Sequence, residues 1–257
     1  MGRANRLTVE GGIFHVTHRC HNQAFLLRFA RDRNAYRQKL REGLREFSVT
    51  LLDYAITSNH VHLLLEAPSK PELSGFMRKV AGEFARNYNR RKKRANAFWG
   101  DNFHATLVED GKYLYECLLY IELNMVRCGV APHPRNWDWV GYHEIMGHRQ
   151  RYRVLDLERL CWRLGTASLA DARRQIELGL VDRIARDEVK RVSYWTESLG
   201  VGSREFLEKH RALILSRMET EIVEVQGHEV SVLREEGVPF GQESTPKSAA
   251  NSSSLSR

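Results

Sequence analysis

Apolar residues in the first half of the chain follow two different spacings. Short runs rich in β-branched and aromatic residues predict three strands, at 13–18, 49–56 and 60–65. Apolar residues at steps of about four predict a helix over roughly 31–46 and a second one over 71–94. This order of strands and helices predicts an α+β domain that is built on a mostly antiparallel sheet. We expect this domain to end near residue 150.

A further helix is predicted from Lys112 to Arg127, with Gly129 just after its end. Leucine and other large apolar residues dominate this segment, so the helix should be largely buried. One of its faces, at steps of three and four, nevertheless carries polar or titratable groups: Tyr113, Cys117, Tyr120, Asn124 and Arg127. A buried polar stripe needs partners inside the protein, and a functional site would provide them.

The chain becomes predominantly helical after residue 150. Ser168 and Asp171 form a capping box before one helical run. Two later runs, at 189–199 and 204–218, are separated by a glycine-containing turn, a spacing that fits either a plain helical hairpin or a helix-turn-helix that contacts duplex DNA. We therefore expect a domain over 1–150 and a small helical C-terminal module over 151–240, which is a candidate for DNA binding. We expect a disordered tail over 241–257, because this segment is too polar to form a core.

Positive charge is concentrated in one part of the chain. Forty Lys and Arg residues against 32 Asp and Glu residues give a net charge of +8. Within 78–94 only Glu83 opposes eight cations: Arg78, Lys79, Arg86, Arg90, Arg91, Lys92, Lys93 and Arg94. Four aromatic residues interleave with these cations or follow them: Phe84, Tyr88, Phe98 and Trp99. Either this basic stretch is a solvated helix face, or it binds phosphates while the aromatic rings stack on unpaired bases.

Other features of the sequence exclude several classes of protein. No run reaches the roughly 18 apolar residues of a membrane span, and residues 1–6 lack the apolar core of a signal peptide. The four cysteines include no CxxC pair, so we expect neither a disulfide framework nor a zinc knuckle. A cytoplasmic protein without a membrane partner is therefore expected.

Two histidines in the third predicted strand are candidates for metal binding. The period of two places His60 and His62 on one face, where one metal ion can contact both. Two structural histidines would give the same pattern, so a third ligand is needed. Asn124 offers a carbonyl oxygen, a ligand that Mg²⁺ or Mn²⁺ accepts. Tyr120 lies one turn earlier, where its phenol could face a metal-bound phosphate; the alternative is a core tyrosine.

The residues Thr57 to Leu65, taken together with Tyr120 to Gly129, resemble the paired motifs of the single-tyrosine HUH transposases. The similarity is greatest to the REP-associated tyrosine transposases, relatives of the small insertion-sequence transposases, and it covers about residues 8–150. The sequence departs from the pattern in that Thr57-Ser58 replaces Met-Pro, Met125 replaces Pro, and Cys20 replaces Gly. None of these changes removes a group that the chemistry needs.

This resemblance implies a ferredoxin-like antiparallel sheet with helices, often in a homodimer. It also implies cleavage and rejoining of single-stranded or hairpin DNA through a 5′-phosphotyrosine on Tyr120, with Mg²⁺ or Mn²⁺ on His60, His62 and Asn124. Two alternatives remain at this point. One is a domesticated, non-catalytic protein that binds hairpin DNA, and the other is a metal-dependent nuclease that uses water as its nucleophile.

Overall fold

A computed structural model describes residues 9–211, 219–225 and 229–236 of the chain. Its strands form one sheet in the order β2-β3-β1-β4-β5-β7-β6. The strands are β1 (Gly12–Arg19), β2 (Thr50–Ile56), β3 (His60–Ala67), β4 (His104–Val108), β5 (Gly200–Gly202), β6 (Thr220–Glu224) and β7 (Ser231–Glu235). The helices are α1 (Ala30–Glu46), α2 (Lys70–Lys92), α3 (Lys112–Glu122), α4 (Asn124–Arg127), α5 (Tyr142–Ile145), α6 (Leu157–Leu164), α7 (Leu169–Ala185), α8 (Tyr194–Glu197) and α9 (Arg204–Arg211).

The centre of the sheet is antiparallel. Strand β1 pairs with both β3 and β4, and β2 pairs with β3. The only parallel pairing in the described part of the sheet joins β4 to β5. The predicted α+β class and the three predicted strands are confirmed, and β4 is an additional strand that the residue pattern did not predict.

Helices cover both faces of this sheet. His18 of β1 stacks on Trp99, which also contacts Tyr36 of α1 and Phe84 of α2, so these two helices lie on the His18 face. Helix α1 approaches α2 closely at Gly43, where a Cβ atom would lie only 2.7 Å from a methyl group of Val80. Because neighbouring residues of a strand point to opposite faces, His15, Thr17 and Arg19 point away from α1 and α2.

The predicted helix over 112–127 is broken in two. Helix α3 ends at Glu122, and Leu123, with φ −77° and ψ 4°, separates it from the short α4. The guanidinium of Arg127 donates two hydrogen bonds, of 3.4 and 3.3 Å, to the carbonyl oxygen of Tyr120. This side chain therefore satisfies a carbonyl at the break, and Tyr120 and Asn124 both lie beside His62 of β3.

The C-terminal part is not purely helical, so that prediction is wrong in this respect. Helices α6 and α7 are present, and Ser168 caps α7 as predicted, accepting from Asp171 N at 3.1 Å. The turn expected within a helix-turn-helix instead forms β5, because Leu107 N and Glu109 N of the neighbouring segment donate to Leu199 and Val201 carbonyls. The helix-turn-helix hypothesis is therefore wrong for residues 200–203.

Several expectations are only partly covered by the structure. The predicted tail over 241–257 and residues 212–218 of the predicted helical run lie outside the described residues. The boundary near residue 150 and the homodimer stay predictions. All four cysteines are free. Among the described residues, no helix is both long and apolar enough to cross a membrane.

Candidate active site

The structure brings together the two histidines of β3 and the asparagine at the start of α4. Asn124 Nδ2 lies 2.9 Å from His62 Nε2 and 3.5 Å from His60 Nε2. The two imidazole rings meet edge to face, with their centroids 4.8 Å apart. The period of two in β3 and the break after α3 thus place three nitrogen- or oxygen-bearing side chains around one point.

A chain of hydrogen bonds fixes which nitrogen of His60 carries the proton. Asn59 Nδ2 donates to the carbonyl oxygen of Gln23 at 3.1 Å, so the amide oxygen of Asn59 must face the other way. That oxygen lies 2.7 Å from His60 Nδ1, which therefore carries a proton and donates it. In the neutral ring this leaves the Nε2 lone pair directed toward Asn124.

A second chain fixes the proton of His62 in the same way. His15 Nδ1 lies 2.8 Å from the carbonyl oxygen of Trp195, which can only accept, so His15 is protonated at Nδ1. Its unprotonated Nε2 lies 2.8 Å from His62 Nδ1 and accepts that proton. His62 Nε2 consequently also presents a lone pair to Asn124. Second hydrogen bonds of this kind orient histidines that bind metals.

His15 and His62 are buried and His60 is partly buried, and this removal from water keeps the three imidazoles neutral. Burial lowers the pKa of His15 and that of His60 from 6.5 to about 3, and it lowers the pKa of His62 well below 6.5. The positive charges of Arg19 and Arg127 lower the pKa of His60 further. The same positive field attracts a phosphate group to this point.

The donor set fits a divalent cation. Asn124 Oδ1 is buried and has no hydrogen-bond partner among the described residues, whereas its Nδ2 donates to the histidine lone pairs. Rotation of the amide would aim Oδ1 at the point that both Nε2 atoms face, where the three lone pairs would repel one another unless a cation or a hydrogen-bond donor lay between them. No cluster of three His, Cys, Asp or Glu side chains suited to a metal occurs in the described ranges, so a metal site at His60 and His62 would need the amide of Asn124 as its third side-chain ligand.

Tyr120 lies beside the two histidine chains and is nearly covered. Its ring lies edge to face with the rings of His15 and His62, with centroids 6.1 and 6.2 Å apart, and only 5% of the residue is exposed. The guanidinium carbon of Arg127 lies 4.1 Å from the ring centroid, and Trp195 covers another side at 6.2 Å. Burial raises the pKa of Tyr120, and the charge of Arg127 opposes this rise.

The other two tyrosines of α3 point elsewhere. The hydroxyl of Tyr113 donates to the carbonyl oxygen of Glu229 at 3.2 Å, and that of Tyr115 donates to the carbonyl oxygen of Gln175 at 2.9 Å. Both phenols are therefore used in packing α3 against the C-terminal half of the chain. Tyr120 is the phenol of this helix that the structure places beside His62.

A cavity of about 540 Å³ opens in front of His60 and His62. Its wall includes Arg19 from β1 and Arg191 from the C-terminal part, and Arg191 Nη2 lies 2.7 Å from Glu197 Oε1. Residues 21–23 and 100–102 complete one side. The cavity is wide enough for part of a nucleotide, and its two arginines suit a phosphate.

The basic stretch lies along α2 and just beyond its end. Six of its cations are exposed: Arg78, Arg86, Arg90, Arg91, Lys92 and Lys93. Lys79 and Arg94 are partly buried. The ammonium of Lys79 lies 2.9 Å from carboxylate oxygens of both Glu46 and Glu83, so much of its charge is already compensated.

The prediction that the interleaved aromatic residues stack on bases is wrong. Phe84, Tyr88 and Phe98 are buried, because they pack against one another beneath α2 with ring centroids 4.8 to 6.1 Å apart. The ring of Trp99 lies stacked on that of His18 at 4.1 Å. These side chains belong to the core and not to a nucleic-acid surface.

Sequence reasoning missed three residues that shape the site: His15, Trp195 and Arg191. Thr17 of β1 pairs with His62, and His15 lies two residues away on the same face of β1. Once the pairing of β1 with β3 is known, this position indicates that His15 lies close to His62. Trp195 begins a segment of weaker similarity to the single-tyrosine HUH transposases, but neither it nor Arg191 was assigned a role, because their contacts with the site join residues that are far apart in sequence.

Comparisons with known proteins found similar solved structures. The chain is similar to a solved structure described as a REP-associated tyrosine transposase bound to a REP hairpin, at 17% identity and TM-score 0.49 over 57% of this chain and 86% of that one. It is also similar to a putative transposase from Deinococcus radiodurans, at 16% identity and TM-score 0.33 over 42% and 85% of the two chains. No curated protein matches the chain.

The family model described as "Transposase IS200 like" matches residues 8–124, a range that includes both histidines and ends at Asn124. This match confirms the resemblance to insertion-sequence transposases that the paired motifs indicated. Residues 8–124 of this chain are therefore similar to the IS200-like transposases.

Proposed function

We propose that this protein cleaves and rejoins single-stranded or hairpin DNA, with Tyr120 as the nucleophile and His60, His62 and Asn124 as ligands of Mg²⁺ or Mn²⁺. The observation that carries the proposal is the arrangement of hydrogen bonds around the two histidines. Both chains end at a backbone carbonyl and leave the Nε2 lone pairs directed toward Asn124.

The covalent step keeps the number of phosphoester bonds constant. The phenol oxygen of Tyr120 attacks the phosphorus, a new bond forms between tyrosine and the 5′-phosphate, and the bond from phosphorus to the 3′-oxygen breaks. The phenolic proton passes to water, and the departing 3′-oxygen takes a proton from water, which gives a 3′-hydroxyl. Rejoining is the reverse reaction, in which a 3′-hydroxyl attacks the phosphotyrosine and releases Tyr120.

Each residue has a role that follows from its chemistry. A divalent cation on the three ligands would polarise the scissile phosphate and offset its developing charge. Arg127 lies over the ring of Tyr120 and favours its phenolate. Because Tyr120 is covered by Trp195, access of the phosphate to its hydroxyl requires rotation of the phenol or displacement of that indole.

The test is the capture of a covalent adduct. A 5′-labelled and a 3′-labelled hairpin oligonucleotide with a single-stranded flank are each incubated with the protein and Mn²⁺, then denatured. A label placed 3′ of the cleaved bond should migrate with the wild-type protein, and this band should disappear in Tyr120→Phe, which removes one hydroxyl and almost no volume. Tyr115→Phe is the matched control, because its phenol contacts Gln175 instead.

The outcomes separate the competing functions. Cleavage by wild-type protein without any adduct would identify a nuclease that uses water, and tight hairpin binding without cleavage would identify a non-catalytic binding protein. Mass spectrometry of the proteolysed adduct should place the phosphate on the peptide that contains Tyr120 at the mass of a single phosphotyrosine. A phosphate on Tyr113 or Tyr115 would contradict the proposal.

We also propose that the basic stretch binds the DNA backbone. For every phosphate that the protein no longer neutralises, the slope of single-strand affinity against salt should fall by roughly 0.7. Arg90→Gln combined with Lys93→Gln should therefore flatten the slope, because both side chains are exposed. Arg174→Gln, an exposed cation on α7, is the control and should leave the slope unchanged. Equal slopes for all variants would show that the basic stretch faces solvent and does not contact DNA phosphates.

A further inference from the structure

Two phenylalanine rings are exposed on the segment that connects β1 to α1. Phe25 is 67% exposed and Phe29 is 55% exposed. The segment between them is anchored, since Leu27 is fully buried and its N–H donates to the carbonyl oxygen of Ser58 at 2.9 Å. Apolar rings that a fixed backbone holds in water mark an interaction site.

Cations from two different elements flank one of these rings. The guanidinium carbon of Arg28 lies 5.6 Å from the ring centroid of Phe29, and the ammonium of Lys92, at the end of α2, lies 5.2 Å from it. An ion pair between Arg91 and Asp32 holds the end of α2 against the start of α1. The Phe29 ring and the two cations therefore lie together, and Phe25 is exposed four residues earlier on the same anchored segment. These four residues, Phe25, Arg28, Phe29 and Lys92, are here called the Phe25–Phe29 surface.

The chain around this surface carries no negative charge. Residues 19–31 and 84–100 contain nine Lys and Arg residues and no Asp or Glu. Asp32, the next residue along the chain, is buried and already paired with Arg91. Such a charge distribution suits a polyanion and disfavours an uncharged apolar partner, which would leave the cations without counter-charge.

The surface adjoins the cavity of the candidate active site. Gln23 lines that cavity, and its carbonyl oxygen accepts from Asn59, the residue that orients His60. Phe25 follows two residues later, so its backbone lies within about 7 Å of Gln23. A strand that leaves the cavity along this segment reaches Phe25 and then Phe29 on its way to the end of α2.

We propose that the Phe25–Phe29 surface binds the unpaired nucleotides next to the cleaved phosphodiester, with the two rings stacking on bases and Arg28 and Lys92 contacting phosphates. This proposal rests on the proposed function, because it takes single-stranded DNA as the substrate. The bases of a duplex are already stacked on one another, so exposed rings recognise the unpaired state. Stacking is tolerant of sequence, so this surface contributes affinity for single strands and not recognition of a particular target.

The test compares binding of a single strand and of a duplex of the same sequence, by fluorescence anisotropy. Phe25→Ala combined with Phe29→Ala should weaken single-strand binding by about tenfold or more for each stacked base, with little effect on the duplex. A 2-aminopurine placed in the flank should be quenched on binding to the wild type and not on binding to this variant. Phe25→Tyr combined with Phe29→Tyr should restore both the affinity and the quenching.

Two further variants separate stacking from charge and from a general effect of removing an aromatic ring. Lys92→Gln should reduce the slope of affinity against salt by roughly 0.7, whereas the double alanine variant should leave the slope unchanged. Trp162→Ala removes an indole that is 62% exposed on α6, and it should bind both DNAs as the wild type does. Unchanged single-strand affinity in the double alanine variant, or an equal decrease for single strand and duplex, would overturn the proposal.

Failure of this proposal can be distinguished from failure of the proposed function. If the wild type binds single strands through these rings but forms no adduct, the proposed function fails and the surface stands. If the double alanine variant keeps wild-type affinity while the adduct forms, the surface proposal fails alone. Sedimentation velocity tests whether a second copy of the chain binds this surface instead. If the wild type is a dimer, and the double alanine variant is a monomer with unchanged DNA binding, the rings mediate contact between two copies and the proposal is overturned.

Discussion

At the scale of single residues, the candidate site depends on two backbone carbonyls. Those of Gln23 and Trp195 can only accept hydrogen bonds, and this one fact sets the proton positions on His60 and His62. Neither carbonyl belongs to a motif, because every residue has one. A backbone carbonyl thus determines which ring nitrogen of each histidine is free to bind a metal. Asn59 connects the Gln23 carbonyl to His60, and His15 connects the Trp195 carbonyl to His62.

The role of His15 can be tested by changing the group that accepts from His62. His15→Leu removes the acceptor, which frees His62 to adopt the other tautomer, so Mn²⁺ affinity should fall by roughly 10- to 100-fold. His15→Gln keeps an acceptor at a similar reach and should retain most of the affinity. Calorimetric titration with Mn²⁺ measures this, and thermal unfolding identifies any variant that fails to fold. Equal affinities in His15→Leu and the wild type would contradict the relay.

At the scale of secondary-structure elements, the sequence predicted what local patterns control. The strands β1 to β3 and the helices α1 and α2 have clear periodicities, and the pairing of His60 and His62 on one face followed directly from β3. Strand β4 was missed because it has only five residues and exists through pairing with β1 and β5. Likewise, Phe84 and Tyr88 alternate with cations in sequence, yet packing against Phe98 buries them.

The contact between β2 and α3 contains a pair of buried carboxyl groups. Asp53 and Glu122 are both fully buried beneath Gly141, where an added Cβ atom would collide with Asp53 and lie 3.1 Å from Glu122 Oε1. Burial is the main cause that raises the pKa of Asp53 to about 8, and it raises that of Glu122 well above its usual value. At neutral pH the folded pair therefore retains a proton that the unfolded chain has released.

This pair makes stability fall as pH rises. Carboxyl groups in the unfolded chain lose their protons near pH 4, whereas burial holds the pKa of Asp53 in the folded protein at about 8 and that of Glu122 well above its usual value. The free energy of unfolding should therefore decrease from about pH 4 to about pH 8, by roughly 1.4 kcal/mol per pH unit for each retained proton. The buried histidines change the free energy of unfolding only below about pH 6.5, where they would be protonated in the unfolded chain. Urea unfolding at pH 7 and at pH 8 therefore measures the effect of the carboxyl pair alone. Asp53→Asn should flatten the dependence, and a pH-independent wild type would contradict it.

At the scale of the whole molecule, the C-terminal part is joined to the N-terminal part at both the sheet and the site. Strands β5, β6 and β7 continue the sheet from β4, and the carbonyl oxygen of Trp195 accepts from Thr106 as well as from His15. Residues 8–124 match the family model, yet Trp195 and Arg191 lie beyond that match and still contribute to the site and its cavity. The candidate site is therefore assembled from both halves of the chain.

This arrangement predicts that the two halves unfold together. Calorimetry of the full chain should show one unfolding transition. Trp195→Ala should lower the temperature of this whole transition, because it removes a buried indole that contacts Tyr120. The free energy of unfolding should decrease by about 3 kcal/mol or more. Trp162→Ala, which changes an exposed indole, should alter the free energy of unfolding by less than about 0.5 kcal/mol. Two separate transitions, with only the one from the C-terminal part shifted by Trp195→Ala, would show instead that this part is an independent module and that the site forms without it.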